Sequence, residues 1–100
     1  MKLVDCARVI RSKNAGPTTL TLDLMFEDDR RFRLAQASPA LTPAALAPLY
    51  GVPAASVHVI AYAPAFAIKI VLPRTTIAGD PGDRDVYGAQ QHGPLLGVEL

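Results

Sequence analysis

The sequence predicts an α+β domain: a mainly antiparallel sheet of four to five strands with helices on one face. Three observations predict it. Apolar residues alternate with period two along residues 18–26 and again along 57–63 and 66–72, the pattern of half-buried strands. Two short segments with helix-start chemistry fall between the first pair of strands and the second. The resulting order, strand–strand–helices–strand–strand, fits a two-layer α+β arrangement. One hundred residues suffice for a single domain, residues 1–100, with one hydrophobic core.

Residues 3–11 read as the first strand, with Cys6, Arg8 and Ile10 alternating with Ala7, Val9 and Arg11. Turn residues break it at 12–17, where Asn14, Gly16 and Pro17 cluster. In residues 18–26, Leu20, Leu22, Leu24 and Phe26 share one face, opposite Thr19, Thr21, Asp23 and Met25. The two strands form a hairpin with a loop longer than the tightest type. Residues 28–37 predict a short helix: Asp28 and Asp29 suit the positive end of its dipole, and Ser38-Pro39 ends it. Thr42-Pro43 predicts the cap and first residue of a second helix, Gly51 its stop, and Pro48 limits it to about two turns. In the second strand pair, Val57, Val59 and Ala61 alternate with His58, Ile60 and Tyr62. Beyond Pro64, the residues Phe66, Ile68, Ile70 and Leu72 share a face, with Lys69 opposite. A polar loop follows at 78–85, then a helical turn or two at 86–92, and a final edge strand at 95–100.

Composition excludes some classes of function. Half of the residues are hydrophobic, 19% are charged and the formal net charge is +1. Disordered chains combine low hydrophobicity with high net charge, which is the reverse. Nucleic-acid binding needs an excess of clustered Lys and Arg, so no nucleic-acid partner is expected. The charges are bunched at 5–13, 23–33 and 74–85, whereas the forty residues from 34 to 73 contain one, Lys69. Such a stretch is either buried, covered by another chain, or bare only because small Ala and Pro side chains dominate it. The longest apolar run, 59–68, is interrupted by Pro64 and is too short to span a membrane. The start of the chain has no apolar leader segment, and Cys6 is its single cysteine. A cytoplasmic protein without membrane association and without an internal disulfide is expected.

Two loops and one strand hold the candidate chemistry. Arg11, Ser12, Lys13, Asn14 and Gly16 offer two cations, a hydroxyl, an amide and free backbone, a group that can hold a carboxylate or phosphate. A solvated hairpin turn explains the same residues equally well. The spaced glycines of a P-loop are missing. In the second loop, Asp80, Asp83 and Asp85 lack the spacing and late Glu of a calcium loop, and a bidentate contact from Arg84 to a carboxylate, a ligand or a neighbouring Asp suits these residues better. Beside them, Tyr87, Gln90 and Gln91 can orient a polar ligand, and His92 is a candidate general base. Lys69 is a candidate catalytic amine, alongside Lys13, if it is buried, and a plain surface residue if it is not. Cys6 reads as a small buried hydrophobe rather than a nucleophile. One Cys and two distant His do not make a closed zinc site, and no cofactor is expected.

Several segments resemble a family. They are Arg8 to Pro17, Leu22-Asp23, Leu41-Thr42, Leu49-Tyr50-Gly51, Ala67-Ile68-Lys69, Pro73-Arg74 and Gly82 to His92. Together they are similar to an uncharacterised family of about 100 residues, related to the ferredoxin-like C-terminal domain of acyclic-terpene-utilisation A proteins. The resemblance covers nearly the whole chain. It implies a ferredoxin-like two-layer sandwich. It also implies a link to breakdown of branched organic acids as coenzyme A thioesters, with such a thioester as substrate rather than cofactor. The chain departs from the opening of the larger proteins' domain at Lys13-Asn14-Ala15, and it lacks the large α/β domain that precedes this one in those relatives. Three expectations follow. The chain is an accessory subunit that binds a larger acyclic-terpene-utilisation-like protein and a small organic acid. Alternatively it is a small lyase, hydratase or isomerase using Lys13, Lys69 and His92 with Arg11. In the third, it is a homo-oligomeric module built by sheet-edge pairing.

Overall fold

The computed structural model describes residues 1–74 and 92–100. The polar loop expected at 78–85 and, except for His92, the helical turns expected at 86–92 lie outside the described residues. The described chain is α+β: a four-stranded antiparallel open sheet with three α-helices and several 3₁₀ turns.

The chain opens with α1 (Leu3–Cys6) and not with a strand. Leu3 and Cys6 are both buried, and their i,i+3 spacing puts them on one side of a single helical turn, where strand pleating would have separated them. β1 (Ala7–Asn14) then runs three residues past the expected break. It pairs with β2 (Thr19–Phe26) from Ala7↔Phe26 to Asn14↔Leu20, with an irregularity at Arg8. The hairpin loop is therefore only residues 15–18. It closes with Ala15 N–H donating to the Thr19 carbonyl at 2.9 Å, and Gly16 has φ +109°, a conformation that favours glycine.

The helices form where the cap chemistry expects them. α2 (Asp29–Ala37) starts at Asp28, whose carboxylate accepts from Arg31 N–H at 2.8 Å and from the Arg31 guanidinium at 2.9 Å. α3 (Pro43–Tyr50) is capped by Thr42 and ends at Gly51 in the left-handed region. β3 (His58–Tyr62) and β4 (Ala67–Pro73) follow, joined by a 3₁₀ turn. Phe66 closes that turn at φ 49°, unusual for a non-glycine residue, with its carbonyl accepting from Phe26 N–H at 2.8 Å and its ring against Phe32. The expected final strand is not formed. Gly93–Leu95, with Pro94 at its centre, forms a 3₁₀ turn that buries Leu95, and among the described residues the one ladder contact beyond it is the Lys2↔Glu99 bridge.

The sheet order is β1-β2-β4-β3. In register, Leu20, Leu22 and Leu24 face Leu72, Ile70 and Ile68, and all six are at most 2% exposed. They make the floor of the core. Phe32, Ala35, Leu46 and Leu41 form its roof from the helical layer. Phe32 sits between Phe26 and Phe66, with ring centroids 6.3 Å from each. No described helix packs over the opposite face of the sheet, called the uncovered face below. Across it run three rows: Lys13–Thr21–Val71–His58, Arg11–Asp23–Lys69–Ile60, and Val9–Met25–Ala67–Tyr62.

Two outcomes test this packing. Phe32→Ala should lower unfolding free energy by ~3–5 kcal/mol in denaturant titration, the range for a fully buried phenylalanine. Asp28 titrates below the ordinary carboxylate range, chiefly because Arg31 N–H bonds to its charged form, with the Arg31 guanidinium adding to this. Its folded-state pKa is thus below its unfolded one, so its stabilisation is present above the unfolded pKa and is lost as pH falls through the folded one. The stability gap between the wild type and Asp28→Ala should therefore be open near neutral pH and close in acid below the usual carboxylate range.

Candidate functional site

The pleat of β1 separates the residues expected to act together. Successive side chains on a strand point to opposite faces. Arg11 and Lys13 therefore stand on the uncovered face, while Ser12 and Asn14 point to the helical side, where Ser12 is 6% exposed. The group expected as one anion-binding loop is in fact strand, and only Gly16 belongs to the turn.

On the uncovered face, Arg11 and Lys69 are brought together on either side of Asp23. Arg11 Nε lies 3.7 Å from Asp23 Oδ2, and Lys69 is Asp23's register partner on β4. Lys13 is one pleat along the same face. Lys69 is exposed among the described residues, the setting of the surface reading of this residue rather than of the buried one. His58 is exposed at the outer corner of this face.

The other candidate region is the end of the sheet at Asn14, Leu20 and Leu72. Arg74, the first residue past β4, is anchored by its N–H donating to Thr18 O at 2.8 Å. Its guanidinium donates to Asn14 Oδ1 at 3.1 Å. Next to it lies a cavity of about 180 Å³ lined by Leu20, Leu49, Tyr50, Leu72, Pro73, Arg74 and Pro94. The C-terminal turn of α3 supplies Leu49 and Tyr50, and burial pushes the Tyr50 hydroxyl up from its ordinary pKa. Pro94 belongs to the 3₁₀ turn that His92 leads into. The Nδ1 atom of His92 is buried and has no hydrogen-bond partner among the described residues. Ser12, Asn14, Tyr50 and Arg74 all have partners.

Asn14 and Arg74 are thus joined at this end of the sheet, and Pro94, two residues after His92, lines the same cavity. Asp83, Arg84, Asp85, Tyr87, Gln90 and Gln91 lie outside the described residues. Sequence reasoning passed over Arg74 and Tyr50. The available signal was a lone cation directly after an apolar strand, at the mouth of a polar loop. Chemically, a guanidinium and a carboxamide beside apolar walls can fix an organic carboxylate and its hydrocarbon part. Among the described residues, no three His, Cys, Asp or Glu side chains are grouped to hold a metal ion, and no helix is long and apolar enough to cross a membrane.

Cys6 is 2% exposed, and its thiol donates to Arg31 O at 3.6 Å. Burial raises its pKa, partly offset by the nearby Arg31 charge. A nucleophilic cysteine needs the opposite environment, accessible and electropositive. Cys6 should accordingly react with a thiol reagent at least about 100-fold more slowly in the native state than after unfolding. Comparable rates in the two states would contradict its burial.

No curated protein and no solved structure matches the chain. A family model does match, over residues 3–99, and on that match the chain belongs to the family described as Domain of unknown function (DUF4387).

Proposed function

We propose that the chain is a small accessory, ligand-binding subunit. It docks on a larger acyclic-terpene-utilisation-like protein and supplies part of a pocket for an organic acid or its coenzyme A thioester. One observation carries this reading. The cavity beside Arg74 is about 180 Å³, against ~300–1,000 Å³ for pockets that enclose a small ligand. Its lining residue Leu49 is 44% exposed. The cavity has the right chemistry for an acid with an apolar tail but too little volume to enclose one. A second protein surface seated on Leu49 would complete it. The low charge of residues 34–73 supports the same reading, because depletion of charge is what marks the core of an interface.

A ferredoxin-like fold is part of the proposal. β2, the helices and β3 form a crossover between two parallel strands with β4 inserted between them, which is the split βαβ arrangement of that fold. The order β1-β2-β4-β3 is the one a ferredoxin-like sheet acquires when its chain begins at the second strand. A cytoplasmic setting is proposed on the single thiol, Cys6, which is free and buried. A stand-alone lyase, hydratase or isomerase would need Lys13, Lys69 and His92 at one place. Lys13 and Lys69 stand on the uncovered face, whereas His92 leads into the turn that lines the cavity on the helical side.

Co-expression with an acyclic-terpene-utilisation-like protein should give one co-eluting species. Leu49→Asp should weaken that association by about tenfold or more, as expected for a desolvated apolar contact. Arg74→Gln should weaken binding of a branched organic acid or its thioester to the complex. A chain that elutes apart from such a protein, with and without organic acids, contradicts the proposal.

A further inference from the structure

The two edges of the sheet differ in chemistry. β1 carries Arg8, Arg11 and Lys13 and has an irregular register at Arg8. Charge and bulges are the devices that keep an edge strand from pairing with another chain. β3 has neither. His58-Val59-Ile60-Ala61-Tyr62 holds no residue of fixed charge and no proline, and it pairs with β4 in unbroken register. Among the described strands it stands last in the sheet, and four of its five residues are exposed. Ile60 and Tyr62 are 53% and 57% exposed. An edge of this kind leaves a row of backbone N–H and C=O groups ready to extend the ladder.

We infer that β3 binds β3 of a second copy of this chain by antiparallel edge pairing, which joins two four-stranded sheets into one of eight strands. The sequence of β3 is self-complementary about Ile60. With the twofold axis there, Ile60 meets its own copy, His58 faces the partner's Tyr62, and Val59 faces the partner's Ala61. Apolar and aromatic side chains then pair on both faces, and no two like charges stand opposite each other. Lys69 lies one strand further in, opposite Ile60 on its own sheet. On β1, pairing centred on Ser12 would set Arg11 against the partner's Lys13, and the irregular register at Arg8 interrupts the edge. Charge and that irregularity therefore favour β3 over β1 for self-association. This pairing leaves the cavity beside Arg74 free, because that cavity is lined from α3, β2, β4 and the Pro94 turn.

Sedimentation equilibrium of the full chain tests the inference. A five-residue strand makes a small interface, so concentrations should run from about 1 μM to about 1 mM. The mass should rise with concentration to twice the 10.6 kDa of the chain. I60K should weaken the dimer by about 100-fold or more, since it sets two like charges against each other at the axis. I60D should do the same. Both variants should keep the wild-type circular dichroism, because the Ile60 side chain is exposed. Mixing I60K with I60D should restore the dimer mass. A wild type that stays monomeric throughout, an I60K or I60D variant that dimerises like the wild type, or a mixture that stays monomeric would each overturn pairing about Ile60.

Discussion

The pairing of β2 with β4 is the interaction on which the rest of the structure depends. These strands lie more than forty residues apart in the chain, yet they form the centre of the sheet. Leu22 and Ile70 are register partners, and both are fully buried. A slip of one residue would turn three leucines on β2 towards water and bring Thr21 and Asp23 into the core. The register is therefore held by the hydrophobic effect and not by any single bond. It also sets the location of the candidate residues. It places Lys69 opposite Asp23, seats Arg74 against Thr18 and Asn14, and leaves β3 at the margin.

The same register explains why the polar residues fall into two groups. Asp23 sits between Arg11 and Lys69 on the uncovered face, with its side chain 18% exposed. One carboxylate flanked by two cations leaves that face cationic, with apolar residues from β3 at its side. The opposite face is sealed by the helices except at the sheet end, where α3 stops at Gly51 and the Pro94 turn comes in. The cavity lies at that junction, between the end of α3 and Pro94.

Much of the fold was legible in the residues. The alternation in β2 and β4, the aspartates that open α2, the Thr42 cap and the Gly51 stop all rest on local rules, and all appear in the structure, with Asp28 serving as the cap of α2. The errors arose where long-range packing decided the outcome. Leu3 and Cys6 form a helical turn because both are drawn into the core, which no strand could do at that spacing. β1 continues to Asn14 because β2 offers partners as far as Leu20, and a continuing ladder outweighs the local turn tendency of Ser12 and Asn14. The site was less legible for the same reason. Adjacent sequence positions 11 to 14 implied one cluster, but adjacency on a strand places neighbours on opposite faces. Arg74 and Tyr50 become neighbours only through tertiary packing, so no motif announces them.

The register of the two central strands can be read directly from interstrand nuclear Overhauser contacts in the isotope-labelled chain. The account predicts backbone contacts linking Leu22 with Ile70, Asp23 with Lys69 and Thr21 with Val71, together with contacts from the Phe32 ring to Phe26 and Phe66. A set displaced by one residue, or one that joins β4 to β1, would move Lys69 away from Asp23 and Arg74 away from Asn14. Either result would contradict both the division of the candidate residues and the cavity built on it.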